Sequence, residues 1–123
     1  MSLTKYFESN KGVGVFSTAD ESGNVNSAIY ARPHFDGDQT AIFILKDRLN
    51  RQNLKSNPKA TYLFKEEGGY EGKRLYLTLT RQEQNDELLA QYRRSSKEYN
   101  DGEARYIAYF KVDKVLPLVG GGE

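Results

Sequence analysis

The chain has no cysteine, a single histidine, and no apolar run approaching the roughly 20 residues a helix needs to cross a bilayer. Without cysteine there is no disulfide, no thiolate zinc or protein-ligated iron–sulfur cluster, and no cysteine nucleophile, a composition compatible with a reducing cytosol. His34 follows Pro33 near a turn, gives no support to a catalytic triad or a histidine-based metal site, and reads as a surface or interface residue. Charge of one sign is also scarce: 18 Lys and Arg stand against 17 Asp and Glu, a formal net charge of +1. That balance speaks against a general polyanion binder, and so against nucleic acid. The N-terminal Met-Ser-Leu-Thr-Lys-Tyr-Phe-Glu lacks the basic-then-apolar layout of a signal peptide. The expectation is a cytoplasmic, non-membrane protein. Its 123 residues suit one domain over residues 1–123, large enough for a single core without staples.

What is present is a series of short β-rich runs separated by turn chemistry. Leu3, Tyr6 and Phe7 recur at helical spacing, so residues 2–10 read as a short amphipathic helix with Ser2 as N-cap and Gly12 as its end. Residues 13–18 and 25–31 are extended runs around Asp20-Glu-Ser-Gly-Asn24, a first hairpin. Asp36-Gly37 precedes the run of residues 40–45 as a second hairpin signal, with Pro33 at an edge or irregular position, which predicts three consecutive antiparallel strands. Asn57-Pro58 stops a helix before a fourth strand at 60–64. Residues 73–82 alternate with Leu75, Leu77 and Leu79 on one face, as a half-buried strand should. Leu88, Leu89 and Tyr92 form one stripe of a helix over 85–94, behind acidic first-turn residues and ahead of Arg93 and Arg94. Residues 106–112 are apolar on both faces, a strand that is either central or covered by a partner subunit. The tail leaves the sheet at Pro117. Six short strands and few helices make a mainly β, six-stranded antiparallel barrel with short flanking helices the economical architecture.

The strongest functional signal is Lys46-Asp-Arg-Leu-Asn-Arg-Gln-Asn-Leu-Lys-Ser-Asn-Pro58, directly after the strand Ala41-Ile-Phe-Ile-Leu45. Lys46, Arg48, Arg51 and Lys55 against Asp47 give four positive minus one negative, a local +3. A strand running into a basic helix start suggests an anion site, because the free first-turn N–H groups and the helix dipole favour negative charge there. The competing reading is a solvated charged face. Tyr30, Tyr106 and Tyr109 are candidates to stack on a planar ligand, although such rings mostly fill cores and interfaces. Glu66, Glu67, Asp86 and Glu87 read as solvent-facing caps, so no acid/base pair and no catalytic residue is assigned.

Gly12-Val-Gly-Val-Phe-Ser-Thr18, Gly23-Asn-Val-Asn-Ser27, Asp36-Gly37, Ala41-Ile-Phe-Ile-Leu45 and Asn53-Leu-Lys-Ser-Asn-Pro58 occur in an order that resembles the pyridoxamine 5'-phosphate oxidase-like family of flavin-binding split barrels. The resemblance covers about the first two thirds of the chain. It implies a six-stranded split barrel, a homodimer, and FMN in a groove at the subunit interface. Carried over by residue, it implies that Asn26, Ser27, Ala28 and Ile29 lie beside the isoalloxazine ring and that Phe43, Ile44 and Leu45 line the groove. Lys46, Arg48, Asn50 and Arg51 fall at the phosphate contacts, where forked guanidinium donors and a neutral amide suit a phosphate. Many members carry a small hydroxyl residue and a lysine where this chain has Asn50 and arginines, with Asp47 alongside. A larger nucleotide or a deazaflavin therefore stays open beside FMN.

The tail lacks the arginine- and tryptophan-containing ending with which true pyridoxamine phosphate oxidases grip their substrate, so that activity is not expected. The resemblance implies an FMN-dependent oxidoreductase or flavin reductase acting on an unidentified small molecule. The alternatives are a non-catalytic flavin-binding or redox-sensing module, and a member that has lost flavin.

Overall fold

A computed structural model describes residues 2–92 and 102–121. In chain order the elements are α1 (Leu3–Ser9), β1 (Gly12–Ala19), β2 (Val25–Ile29), β3 (His34–Asp36), β4 (Thr40–Lys46), α2 (Leu49–Ser56), β5 (Lys59–Glu66), β6 (Gly72–Glu83), α3 (Asp86–Tyr92) and β7 (Arg105–Pro117). One antiparallel sheet takes in all seven strands in the order β2-β1-β5-β6-β7-β4-β3. Its two end strands, β2 and β3, are consecutive in sequence. The chain therefore crosses from one sheet edge to the other through residues 30–33, and the barrel is split along that seam.

The curl follows from which side chains meet inside. Phe16 on β1 lies 5.0 Å from Phe43 on β4 and 5.5 Å from Phe110 on β7, and Phe43 lies 4.9 Å from Tyr62 on β5, all ring centroid distances. Strands distant in the sheet order thus share one interior, completed by Phe64, Leu75, Leu77 and Ala108. Space for Tyr62 comes from Gly14, where a Cβ would overlap the phenol. Helix α1 closes one end of the barrel with Phe7, fully buried among Phe35, Tyr62 and Phe64. Burying such a ring is worth about 1.5–3 kcal/mol.

Seven strands replace the expected six, and the expected three-strand meander is corrected. The Asp36-Gly37 turn does form a hairpin, with Gly37 at φ 69°, but its first arm is the short β3, and β2 pairs only with β1. The cause lies at the seam: Pro33 is fully buried and has no N–H to give a ladder, while the Tyr30 N–H still bonds the Gly14 carbonyl at 2.9 Å. Ladder pairing on β2 therefore stops at Ile29, two residues short of the predicted end.

Ser2 caps α1 through its hydroxyl, which accepts from Lys5 N–H at 3.1 Å. The helix ends at its C-cap Asn10, within the predicted span of residues 2–10, and side chains satisfy its last carbonyls: Asn10 Nδ2 donates to Tyr6 O, and one Arg32 nitrogen donates to both Phe7 O and Asn10 O. Strand β7 is central, between β6 and β4. Its outward Ile107 and Tyr109 pack with Ile42 under Leu88, Leu89 and Tyr92 of α3, so a helix of the same chain covers the second apolar face. Arg93 and Arg94, expected in the last turn of α3, lie outside the described residues. Among the described residues no helix is long and apolar enough to cross a membrane.

Candidate functional site

Strand β4 sorts its side chains by the period of two. Ala41, Phe43 and Leu45 are buried with the barrel core, whereas Ile44 and Lys46 on the other face are half-buried. Against that outer face lies a cavity of about 690 Å³, bounded by β2, β4, the seam residues 30–32, His34, the start of α2, Tyr92 and Arg105. Its volume falls in the range of small-molecule sites, about 300–1,000 Å³. Among the described residues four cations line it (Arg32, Lys46, Arg48 and Arg105), and no Asp or Glu does.

The cations fall at two ends. In the ladders Lys46 is opposite Arg105, and Ile42 is opposite His34. Four residues of β4 separate these rungs, roughly 13 Å at about 3.3 Å per residue. At the first end Lys46 Nζ is 3.0 Å from Glu103 Oε2, and the Arg48 guanidinium donates to both Glu103 oxygens at 2.8–3.1 Å. These hydrogen bonds, Arg48's foremost, hold the Glu103 carboxyl below its ordinary range. Helix α2 begins here with Arg48 as its N-cap, whose side chain makes no capping bond, so no side chain of the cap residue occupies the first-turn N–H groups. At the second end His34 Nε2 is 2.6 Å from the Tyr92 carbonyl oxygen, with the two rings 4.9 Å apart.

Most of the expected site residues come together. Asn26, Ser27, Ala28, Ile29, Phe43, Ile44, Lys46, Arg48 and Asn50 all line the cavity. Asn50 does so while only 2% exposed and fully engaged. Its Oδ1 accepts from Thr18 Oγ1 at 2.6 Å and Asn26 Nδ2 at 3.2 Å, and its Nδ2 donates to Phe16 O at 3.4 Å. Asn53 also donates to Thr18 Oγ1, so α2 is fastened to β1 and β2 through a polar knot rather than through apolar packing alone. The contribution of Asn50 is to fix the helix start.

Two expected residues lie elsewhere. Leu45 is fully buried in the barrel core, because it shares the inward face of β4 with Phe43. Arg51 is turned away from the cavity: its guanidinium donates to Asp47 Oδ1 and Gln82 Oε1, both at 2.9 Å, and stacks 3.5 Å over the Tyr106 ring. Asp47, the acid that broke the basic run, is thus the partner of Arg51 and not of the cavity cations. Tyr106 serves as that platform, and Tyr109 donates to Glu83 at 2.8 Å beneath Arg81; neither lines the cavity. Tyr30 does line it, stacked on Phe16 at 4.8 Å, and burial pushes its phenol up. Glu66, read as a solvent-facing cap, instead accepts a 2.6 Å bond from Tyr6.

Sequence reasoning missed Arg32, His34, Tyr92 and Arg105 as wall residues. His34 is half-buried in the wall, where a surface or interface role was expected. Arg105 carried no local signal, since only the β4–β7 ladder brings it opposite Lys46. Among the described residues, no group of three or more His, Asp or Glu is disposed to hold a metal ion.

Neither a family model nor a curated protein matches the sequence. Solved structures do match the fold. An FMN-binding protein from Syntrophomonas wolfei subsp. wolfei superposes with a TM-score of 0.78 at 23% identity, over 95% of this chain and 84% of that one. An F420 reductase gives 0.69 at 11% identity over 94% and 97% of the two chains. A candidate pyridoxamine 5'-phosphate oxidase from Listeria innocua gives 0.68 at 12% identity over 93% of each. The chain has the split-barrel fold of the pyridoxamine 5'-phosphate oxidase-like proteins.

Proposed function

We propose that this protein binds FMN in the 690 Å³ cavity and uses it as an oxidoreductase, of the flavin reductase kind, on a small molecule. The observation that carries the reading is the charge pattern of the wall: a cationic end at the start of α2, whose cap side chain makes no capping bond, the end strand β2 of the sheet beside it, and, among the described residues, no carboxylate in the lining. The donor set fits a phosphate, since Arg48 offers a fork, Lys46 a point charge, and the first turn of α2 free N–H groups. The edge of β2 away from β1 leaves N–H and C=O groups for the rim of a planar heterocycle, and the outward Ile42 and Ile44 supply apolar wall against it. Bound there, a flavin would supply hydride or single-electron transfer. Lys46 and Arg48 bind, Asn50 holds α2 in place, and Ile42 and Ile44 keep water from one face. Flavin-binding and F420-acting proteins among the fold relatives support the reading.

A second copy of the chain belongs to this proposal. Ile29, Val15 and Leu63 lie abreast on the outer face across β2, β1 and β5, with Ile29, which lines the cavity, 70% exposed and Val25 on the same strand 79%. Such an apolar row suits a homodimer interface that completes the site.

Titrating the protein with FMN, with riboflavin as the control lacking phosphate, tests the reading. FMN should bind at least about tenfold more tightly, the equivalent of one charged hydrogen bond. No binding of either flavin would reject it. Oxidation of a nicotinamide donor above the rate of free flavin would establish turnover; its absence in a flavin-loaded protein would leave a binding module.

A further inference from the structure

We infer that Glu103 sets the charge specificity of the cavity's anion end: its carboxylate occupies the donors of Lys46 and Arg48 that a ligand phosphate would use, and a ligand enters only by displacing it. The inference rests on the phosphate reading of that end and names the residue that regulates it.

Among the described residues, Asp47, Glu83 and Glu103 have different employments. Asp47 pairs with Arg51, and Glu83 pairs with Arg81 and Tyr109, so neither reaches the cavity cations. Glu103 does reach them. It takes three hydrogen bonds from Arg48 at 2.8–3.1 Å and an ion pair from Lys46 at 3.0 Å. The guanidinium fork that fits a carboxylate in this way fits a phosphate equally well. The two anions therefore compete for one set of donors.

The clasp is built to be exchanged. The Glu103 side chain is 36% exposed and that of Arg48 65%, so solvent screens the pair and weakens it. Gly102, immediately before Glu103, has φ 76°, and residues 102–104 are exposed, so the carboxylate lies at the surface where a ligand can reach it. A phosphate monoester carries about −1.5 to −2 charge at neutral pH and outcompetes a single carboxylate once the rest of its molecule is also bound. A small free anion must displace Glu103 with no other contact to help. Glu103 thereby favours phosphate esters that fill the cavity over inorganic phosphate.

The test compares wild type with Glu103→Gln and Glu103→Asp by calorimetric titration with FMN, riboflavin and inorganic phosphate. Removing the competing charge should tighten FMN about tenfold, within the usual range of coupling between linked events, and leave riboflavin unchanged. Inorganic phosphate should tighten by at least as much. Glu103→Asp keeps the charge and should stay within about threefold of wild type. Should Glu103→Gln not fold, Glu103→Ala carries the same comparison. FMN affinity equal to or weaker than wild type in the neutral variant would overturn the inference, since Glu103 would then organise the cations rather than compete for them. If neither protein binds FMN, the flavin reading fails on its own, and phosphate decides: tighter binding in Glu103→Gln upholds the role of Glu103, and equal or no binding in both proteins overturns it.

Discussion

The two faces of β4 obey different rules. Inward, Ala41, Phe43 and Leu45 join a core of rings whose neighbours are fixed by shape, with Phe16, Tyr62, Phe64 and Phe110 all fully buried. Outward, Ile44 and Lys46 face a cavity whose wall gathers four cations from the seam, β4, the start of α2 and β7. The interior gains free energy from apolar area and close packing, and loses it when a ring is cut away. The cavity's ion pairs are partly exposed and add little to folding. The sharpest way to break this contrast is Phe16→Ala, which removes a ring in contact with Tyr30, Phe43 and Phe110. It should cost about 3–5 kcal/mol in denaturant unfolding. A loss under about 1 kcal/mol would mean that the barrel interior collapses around the gap instead of depending on its shape.

Substitution at the cavity should show the reverse pattern. Arg48→Ala should weaken FMN by about 1.5–3 kcal/mol, the value of a hydrogen bond to a charged group, while changing unfolding by about 0–1 kcal/mol. Arg51→Ala is the internal control. Its guanidinium is committed to Asp47, Gln82 and Tyr106, so FMN affinity should stay near wild type. Equal losses of affinity in both variants would show that Arg51 leaves its partners when the ligand arrives.

The same contrast explains what the sequence made legible. Leu75, Leu77 and Leu79 announced β6 because a half-buried strand must alternate, and the Ser2 cap and the α3 stripe were equally local signals. The seam was not legible: Pro33 signalled irregularity, but only sheet closure shows that residues 30–33 carry the chain between opposite edges. Within the site, the basic run located the start of α2, but it could not tell which cations face the cavity. Arg48 and Arg51 are three residues apart, yet Asp47 and Tyr106 draw Arg51 away. Arg105 and Glu103 come from the far side of α3 in sequence, and their meeting with Lys46 exists only through strand pairing.

Asn50 lies on the boundary between the two regions, buried like the core and polar like the cavity. Asn50→Ala should cost about 1–3 kcal/mol, because the Thr18 hydroxyl and the Asn26 amide both lose their acceptor in a site with little water. It should also weaken FMN, by loosening the start of α2. Stability unchanged to within about 0.5 kcal/mol would show that water replaces the amide and that the knot is not what fastens the helix.

The mildest probe of the contrast is pH, because each region titrates at its own limit. Asp20, Glu83 and Glu103 have carboxyls held below their ordinary range: Asp20 by bonds from Asn24, Glu83 first by Arg81 and then Tyr109, and Glu103 by Arg48 and Lys46. A lowered folded-state pKa means that the unfolded chain binds protons first, so the stabilisation is complete above the ordinary carboxylate range and is lost as pH falls through that range and below it. The phenols of Tyr6 and Tyr30 are pushed up, chiefly by burial, with the Glu66 hydrogen bond adding to the effect at Tyr6. Here the folded state keeps its protons longer, so stability is complete below the ordinary phenol range and falls as pH rises through it. Unfolding midpoints measured across pH should be level in between and decline at both ends. Glu103→Gln should flatten part of the acid decline and leave the alkaline one untouched, while Tyr6→Phe should do the opposite. If Glu103→Gln left the acid decline unchanged, the carboxylate would not be paired with Lys46 and Arg48 in solution, and the cavity's cationic end would be open without any displacement.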